Sequence, residues 1–72
     1  MMNPHTVMRL LRDFDKGTIV DREDKAGPVA IAFVAWDKVG NLTRSLGLLR
    51  AWFDVEPSKT FPGGALVIVQ LD

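Results

Sequence analysis

The fold is decided by one uninterrupted apolar stretch, Val29-Ala30-Ile31-Ala32-Phe33-Val34-Ala35-Trp36. A run of this length, rich in β-branched and aromatic side chains, is typical of a buried strand, because a helix usually needs ten or more residues. Pro28 lacks the N–H that a strand interior requires, so it suits the first position of the strand. Side chains alternate across a sheet, so both faces of this strand are apolar and both need cover.

Length and composition limit the architecture. The 72 residues form a single small domain, residues 1–72, with a marginal core. The chain has no cysteine and one histidine, so we expect no disulfide, no metal site and no cofactor. The charges of nine basic and nine acidic residues cancel, which argues against non-specific electrostatic binding to nucleic acid or to an anionic membrane. No stretch resembles a membrane span or a signal peptide, and we expect a cytoplasmic protein.

The first part of the chain predicts a helix over residues 4–15. Asn3 is a favoured N-cap, Pro4 suits the first helical position, and Gly17 can end the helix in a left-handed conformation. The apolar positions recur with helical spacing at Val7, Leu10, Leu11 and Phe14. Residues 18–20 then begin a strand of about five residues. The charged run 21–25 occupies the strand end and a solvated turn, and we expect an antiparallel hairpin with residues 29–36.

Residues 37–53 allow two interpretations. In the first, Asn41 caps a second helix that continues to Phe53, with Leu42, Leu46 and Leu49 on one face. In the second, residues 37–41 are a hairpin loop, and residues 42–46 form a short strand before a shorter helix. We favour the helix, because its apolar period extends through Phe53.

The last part predicts a connection over residues 55–64 and a final strand over residues 65–71, which is again apolar on both faces. An edge position in the sheet is one option for this strand. The predicted fold is an α+β, two-layer domain in the order α-β-β-α-β. Its sheet is three-stranded and mixed, with residues 29–36 central and parallel to residues 65–71 through a right-handed crossover. Phe33→Ala in that central strand is expected to cost about 3–5 kcal/mol.

The sequence contains no pattern of residues that predicts an active site, and we expect a protein that is not an enzyme. His5 stands alone near the terminus, and Ser45 and Ser58 have no plausible histidine partner other than this remote one. The acidic residues of 13–24 are interleaved with basic ones and lack the spacing of a calcium loop. The glycines at 63 and 64 lack the order of a phosphate loop, and a strand follows them where a helix is required.

Interaction with another protein is the function that we expect. Trp36 and Trp52 lie beside charged residues, and tryptophan and arginine are enriched at binding hot spots. We therefore predict Trp36, Arg44, Arg50 and Trp52 as the protein-interaction residues. Each ring could instead cap the core at its rim. The working hypothesis is an adaptor, inhibitor or assembly subunit from a compact bacterial or phage genome. The alternative is a nucleic-acid-binding module that uses Arg44, Arg50 and Trp52.

The partner of this domain is expected to be another protein or its own copy. If both helices cover one face of the sheet, the second apolar face remains open, and a two-fold homodimer would bury it. The competing arrangement places one helix on each face and needs no partner.

Overall fold

The computed structural model describes residues 3–17, 19–25 and 27–71. Its helices are α1 (Pro4–Phe14) and α2 (Trp36–Leu48), and its strands are β1 (Val20–Asp24), β2 (Gly27–Ala35), β3 (Phe53–Pro57) and β4 (Gly64–Gln70). The strands form one sheet in the order β1-β2-β4-β3, and every neighbouring pair is antiparallel. The α+β class is confirmed, whereas the three-stranded mixed sheet and its parallel pair are wrong.

Helix α1 begins as its sequence predicts. The Asn3 side chain accepts a hydrogen bond from the His5 N–H (2.9 Å), and Pro4 opens the helix. The end differs, because the chain turns into an extended conformation at Asp15 before it reaches Gly17. The Asp15 carboxylate accepts from the Phe33 N–H (2.8 Å) and the Gly17 N–H (3.1 Å), so this residue joins the end of α1 to β2.

Strand β1 consists largely of the charged run that we assigned to a strand end and a turn. It pairs with β2 from Val20 opposite Ile31 to Asp24 opposite Gly27, which confirms the antiparallel hairpin. Thr18, where we expected the strand to begin, lies outside the described residues. The charges suit an edge strand, because they oppose pairing with a further strand.

Helix α2 begins directly after β2, at Trp36, and Asn41 lies in its interior. The favoured interpretation, a second helix, is confirmed over residues 41–48, but its start at Asn41 and its end at Phe53 are wrong. The alternative is wrong because residues 42–46 are helical and form no strand. Ala35 provides no side-chain cap, but the Trp36 N–H donates to the Gly63 carbonyl (3.2 Å) in the loop before β4. This tertiary hydrogen bond replaces the local cap that the sequence lacks.

Strand β3 is the element that the sequence analysis assigned to a helix end and a connection. It pairs with β4 from Phe53 opposite Val69 to Pro57 opposite Ala65. Strand β4 thus lies between β2 and β3, so the expectation that it forms an edge is wrong. Because β3 brings the chain back to the sheet first, β4 runs antiparallel to β2 instead of parallel to it.

Both helices pack on the same face of the sheet. The fully buried cluster combines positions from α1 and α2 with alternate positions from β2 and β4: Val7, Leu11, Leu42, Leu46, Ala30, Ala32, Val34, Val67 and Val69. Phe53 and Val55 of β3 pack against the same cluster. Phe33 does not belong to it: the ring is half-buried on the opposite face, so the cost expected for a core phenylalanine does not apply to Phe33→Ala.

Candidate interaction face

One face of the sheet has an apolar centre and no helix layer. Side chains alternate along a strand, so the residues between the core positions of β2 and β4 point away from the helices. Their counterpart on β1 is Val20, which pairs with Ile31. We call this surface the open face; its apolar members are Val20, Val29, Ile31, Phe33, Leu66 and Ile68. Since α1 and α2 both lie on the opposite side, neither helix covers it.

The apolar members differ in how much water they meet. Val29 and Ile31 are buried, whereas Phe33, Leu66 and Ile68 are partly exposed. Val20, on the edge strand, is 40% exposed. The accessible apolar surface therefore comes mainly from Phe33 and from β4, with Val20 at one side.

Strand pairing places the side chains of the open face in rows that cross the sheet. One row contains Val20, Ile31, Ile68 and Asp54. The next row toward the end of β2 contains Phe33, Leu66 and Glu56. The row on the other side contains Arg22, Val29, Gln70 and Trp52, where the Gln70 N–H donates to the Trp52 carbonyl (3.0 Å).

Charged side chains of opposite sign border the two sides of the open face. Arg22 lies on the β1 side, and the Lys16 N–H donates to the Phe33 carbonyl (2.7 Å), which extends the row of Phe33 to the same side. Asp54 and Glu56 lie on the β3 side, at the far edge of the sheet. All of these side chains are exposed. Among the charged side chains that the structure describes on this face, two bases, Lys16 and Arg22, thus lie on one side of the apolar centre and two acids, Asp54 and Glu56, on the other. We call the first pair the basic edge and the second pair the acidic edge.

An aromatic groove of about 430 Å³ lies at one end of the open face, lined by Lys16, Gly17, Val20, Phe33 and Phe61. A Cβ on Gly64 would collide with the Phe61 ring, so glycine allows this ring to lie against the strand. Buried Ser58 fixes the preceding turn: its Oγ accepts from the Phe61 N–H (3.0 Å), and its N–H donates to the Gly64 carbonyl (3.2 Å). Ser58 therefore has a structural role in this loop.

The two tryptophans predicted as interaction residues lie near opposite ends of α2. Trp36 is its first residue, and Trp52 follows the turn after its last residue. A helix of 13 residues is about 20 Å long, so the rings do not form one site. Phe53 packs against the core, so by alternation Trp52 points to the open face, where its ring is 58% exposed. Trp36 is 48% exposed at the other end of the sheet.

The two predicted arginines belong to the helix layer. Arg44 is exposed and lies two residues from buried Leu42 and from buried Leu46, on the opposite side of α2. Arg50 follows the end of α2 with φ of 58°, in the left-handed region. The structure therefore does not bring Arg44 together with Trp52, because one faces away from the sheet and the other lies on the open face.

Several residues of the open face were not predicted as interaction residues. Lys16 and Arg22 were assigned to a helix end and a solvated turn, and Asp54 and Glu56 to a helix end and a connection. The alternation Phe53-Asp54-Val55-Glu56 is a period-two signal that predicts a strand with its acids on one face. Lys16 carried no comparable signal, since its position depends on the junction between α1 and β2.

Two further observations concern other kinds of site. Within residues 3–17, 19–25 and 27–71, no group of three or more histidine or acidic side chains could hold a metal ion. Neither described helix has the length and apolar character needed to cross a membrane.

Comparison with known proteins returns no relative from which a function could be transferred. No family model, no curated protein and no solved structure matches the chain.

Proposed function

We propose that this protein is a non-enzymatic interaction domain that binds another protein through its open face. The observation that carries the proposal is an apolar sheet surface on the side away from both helices. Accessible apolar residues that lie together and are rimmed by polar ones mark binding surfaces on soluble proteins. Phe33, Leu66 and Ile68 supply this surface on adjacent strands.

The composition of the open face supports the same proposal. Specific interfaces have an apolar centre and a polar rim, with aromatic residues and arginine enriched among the contacts that dominate affinity. Here the apolar centre lies between Arg22 and Lys16 on one side and Asp54 and Glu56 on the other. Trp52 stands at a corner of the face with more than half of its surface exposed.

Radical footprinting in the native cells tests this proposal. Hydroxyl radicals oxidise accessible side chains, so a bound partner should lower the oxidation of Phe33, Leu66 and Ile68 several-fold relative to dilute purified protein. Leu48, which is 80% exposed on α2, is the internal control and should react equally in both samples. Equal oxidation of the open face in cells and in dilute solution would refute the proposal.

The nucleic-acid alternative is the weaker proposal. Its three residues do not share one surface, because Arg44 lies on the outer side of α2 and Trp52 on the open face. Binding through phosphate contacts should weaken steeply as salt rises. Titration of single-stranded DNA and RNA at low and at high salt decides the point, and lack of binding at low salt excludes this function.

A further inference from the structure

We propose that the partner of the open face is a second copy of this chain, related by a two-fold axis that runs parallel to the strands between β2 and β4. This inference rests on the proposed function, because it assumes that a protein covers the open face. It is carried by the positions of four described charges across the open face, with Lys16 and Arg22 on the side of β1 and with Asp54 and Glu56 on β3.

Two identical sheets can stack face to face around two kinds of two-fold axis. An axis across the strands places each edge over its own copy, so Lys16 and Arg22 meet the same basic residues and the acids meet acids. An axis along the strands places β1 over the partner's β3 and β2 over the partner's β4. Only the second arrangement brings the basic edge over the acidic edge, and juxtaposed like charges disfavour the first.

The rows of the open face determine the contacts around this axis. Phe33 lies over the partner's Leu66, and Ile31 lies over the partner's Ile68, because each pair shares a row. In the same way, Lys16 lies over the partner's Glu56 and Arg22 over the partner's Trp52. Stacked sheets twist by about 30°, which shifts the edges by about one residue along the strands, so the pair of Lys16 with the partner's Glu56 is the charge contact that the rows predict.

The size of the open face indicates a weak dimer. Four strands spaced about 4.8 Å apart, over roughly six residues of about 3.4 Å each, give a flat area of roughly 400 Å² per copy. The roughly 800 Å² that two copies would bury is below the ~1,200–2,000 Å² of standard stable interfaces and falls in the range of transient ones, so we expect a dissociation constant no tighter than the micromolar range. In such an interface the exposed charges contribute a large share of the specificity.

Charge reversal at Lys16 and Glu56 tests the geometry. Both side chains are exposed, and the hydrogen bond of Lys16 to Phe33 uses the main chain, so both variants should fold. Lys16→Glu alone places acid over acid twice around the axis, and Glu56→Lys alone places base over base twice. Each variant should dimerise roughly tenfold more weakly in sedimentation velocity from about 1 to about 500 µM.

Mixing provides the decisive measurement. In a mixed dimer, Glu at position 16 of one variant faces Lys at position 56 of the other, and the native Glu56 of the first faces the native Lys16 of the second. An equimolar mixture should therefore dimerise about as well as wild type, and so should the double variant Lys16→Glu, Glu56→Lys. Asp13→Lys and Lys38→Glu, exposed positions in the helices, are matched charge controls and should dimerise as wild type does.

Each result decides one claim. Dimerisation without rescue on mixing overturns the axis along the strands. A wild-type monomer up to about 500 µM overturns the second copy as partner. In that case footprinting remains decisive for the proposed function: protection in cells leaves a different protein as the partner, and equal oxidation removes the interaction domain as well.

Discussion

Arg50→Gly should stabilise this protein, although it removes a large side chain. Arg50 has φ of 58° at the C-terminal end of α2, where an L-residue with a Cβ pays about 1–2 kcal/mol. The Arg50 N–H donates to the Gly47 carbonyl (3.0 Å), and the Ala51 N–H donates to the Leu46 carbonyl (3.0 Å). These two bonds form a Schellman motif, in which glycine is the usual residue at the left-handed position.

The magnitude follows from two opposing terms. Glycine removes the left-handed penalty, but it loses about 0.5–1 kcal/mol more backbone entropy on folding. The net gain in the free energy of unfolding should be about 0.5–1 kcal/mol, which raises the melting temperature by about 2–8 °C in a domain of this size. Thermal unfolding followed by circular dichroism measures this shift.

Arg44→Gly is the matched control for Arg50→Gly. Arg44 is exposed in the interior of the same helix with ordinary helical geometry, so glycine should destabilise the protein there by about 1 kcal/mol. The same chemical change at positions six residues apart should thus have opposite signs. Shifts of the same sign at both positions would show that backbone conformation at Arg50 does not control this helix end.

Two further substitutions test the packing with matched controls. Asp15→Ala removes the carboxylate that accepts a hydrogen bond from the Phe33 N–H of β2, and it should cost about 1.5–3 kcal/mol. Asp13→Ala, at an exposed position of α1, should cost little, and urea denaturation distinguishes the two variants. Leu46→Ala should cost about 2–5 kcal/mol because this side chain is fully buried, whereas Leu48→Ala should change stability by less than about 0.5 kcal/mol, and equal midpoints would contradict the orientation of α2.

The sequence predicts helix α1 well because its signals are local. The cap at Asn3, the proline after it and the apolar period all lie within one stretch of chain. Helix α2 has no such start signal: Ala35 supplies no cap, and the Trp36 N–H is satisfied by Gly63, which is distant in sequence. The start of a helix that depends on a tertiary hydrogen bond cannot be located from local sequence signals. The helix start was therefore predicted at Asn41, which is a favoured N-cap residue.

The predicted topology is wrong because one short strand, β3, is not recognised from the sequence. Five residues, Phe53–Pro57, carry the alternation of a half-covered strand, but the preceding helical period extends to Phe53 and the proline resembles the start of a connection. Without β3, a helix between two strands predicts a parallel crossover. With β3 at the edge, the chain turns back once more, and β4 reaches β2 in the antiparallel direction.

The apolar pattern of β2 and β4 was the most informative signal in the chain, because both faces of both strands are apolar while the helices cover one. Core packing explains Ala32 and Val67, but it does not explain Phe33 or Ile68, since a surface facing only water would be served as well by threonine or lysine. The acids of β3 show that polar residues are accommodated on the same face at the edge of the sheet. An apolar centre between charged edges is therefore the arrangement expected of a surface that alternates between water and a partner, with the charges selecting the orientation of the partner and the apolar rows supplying the affinity.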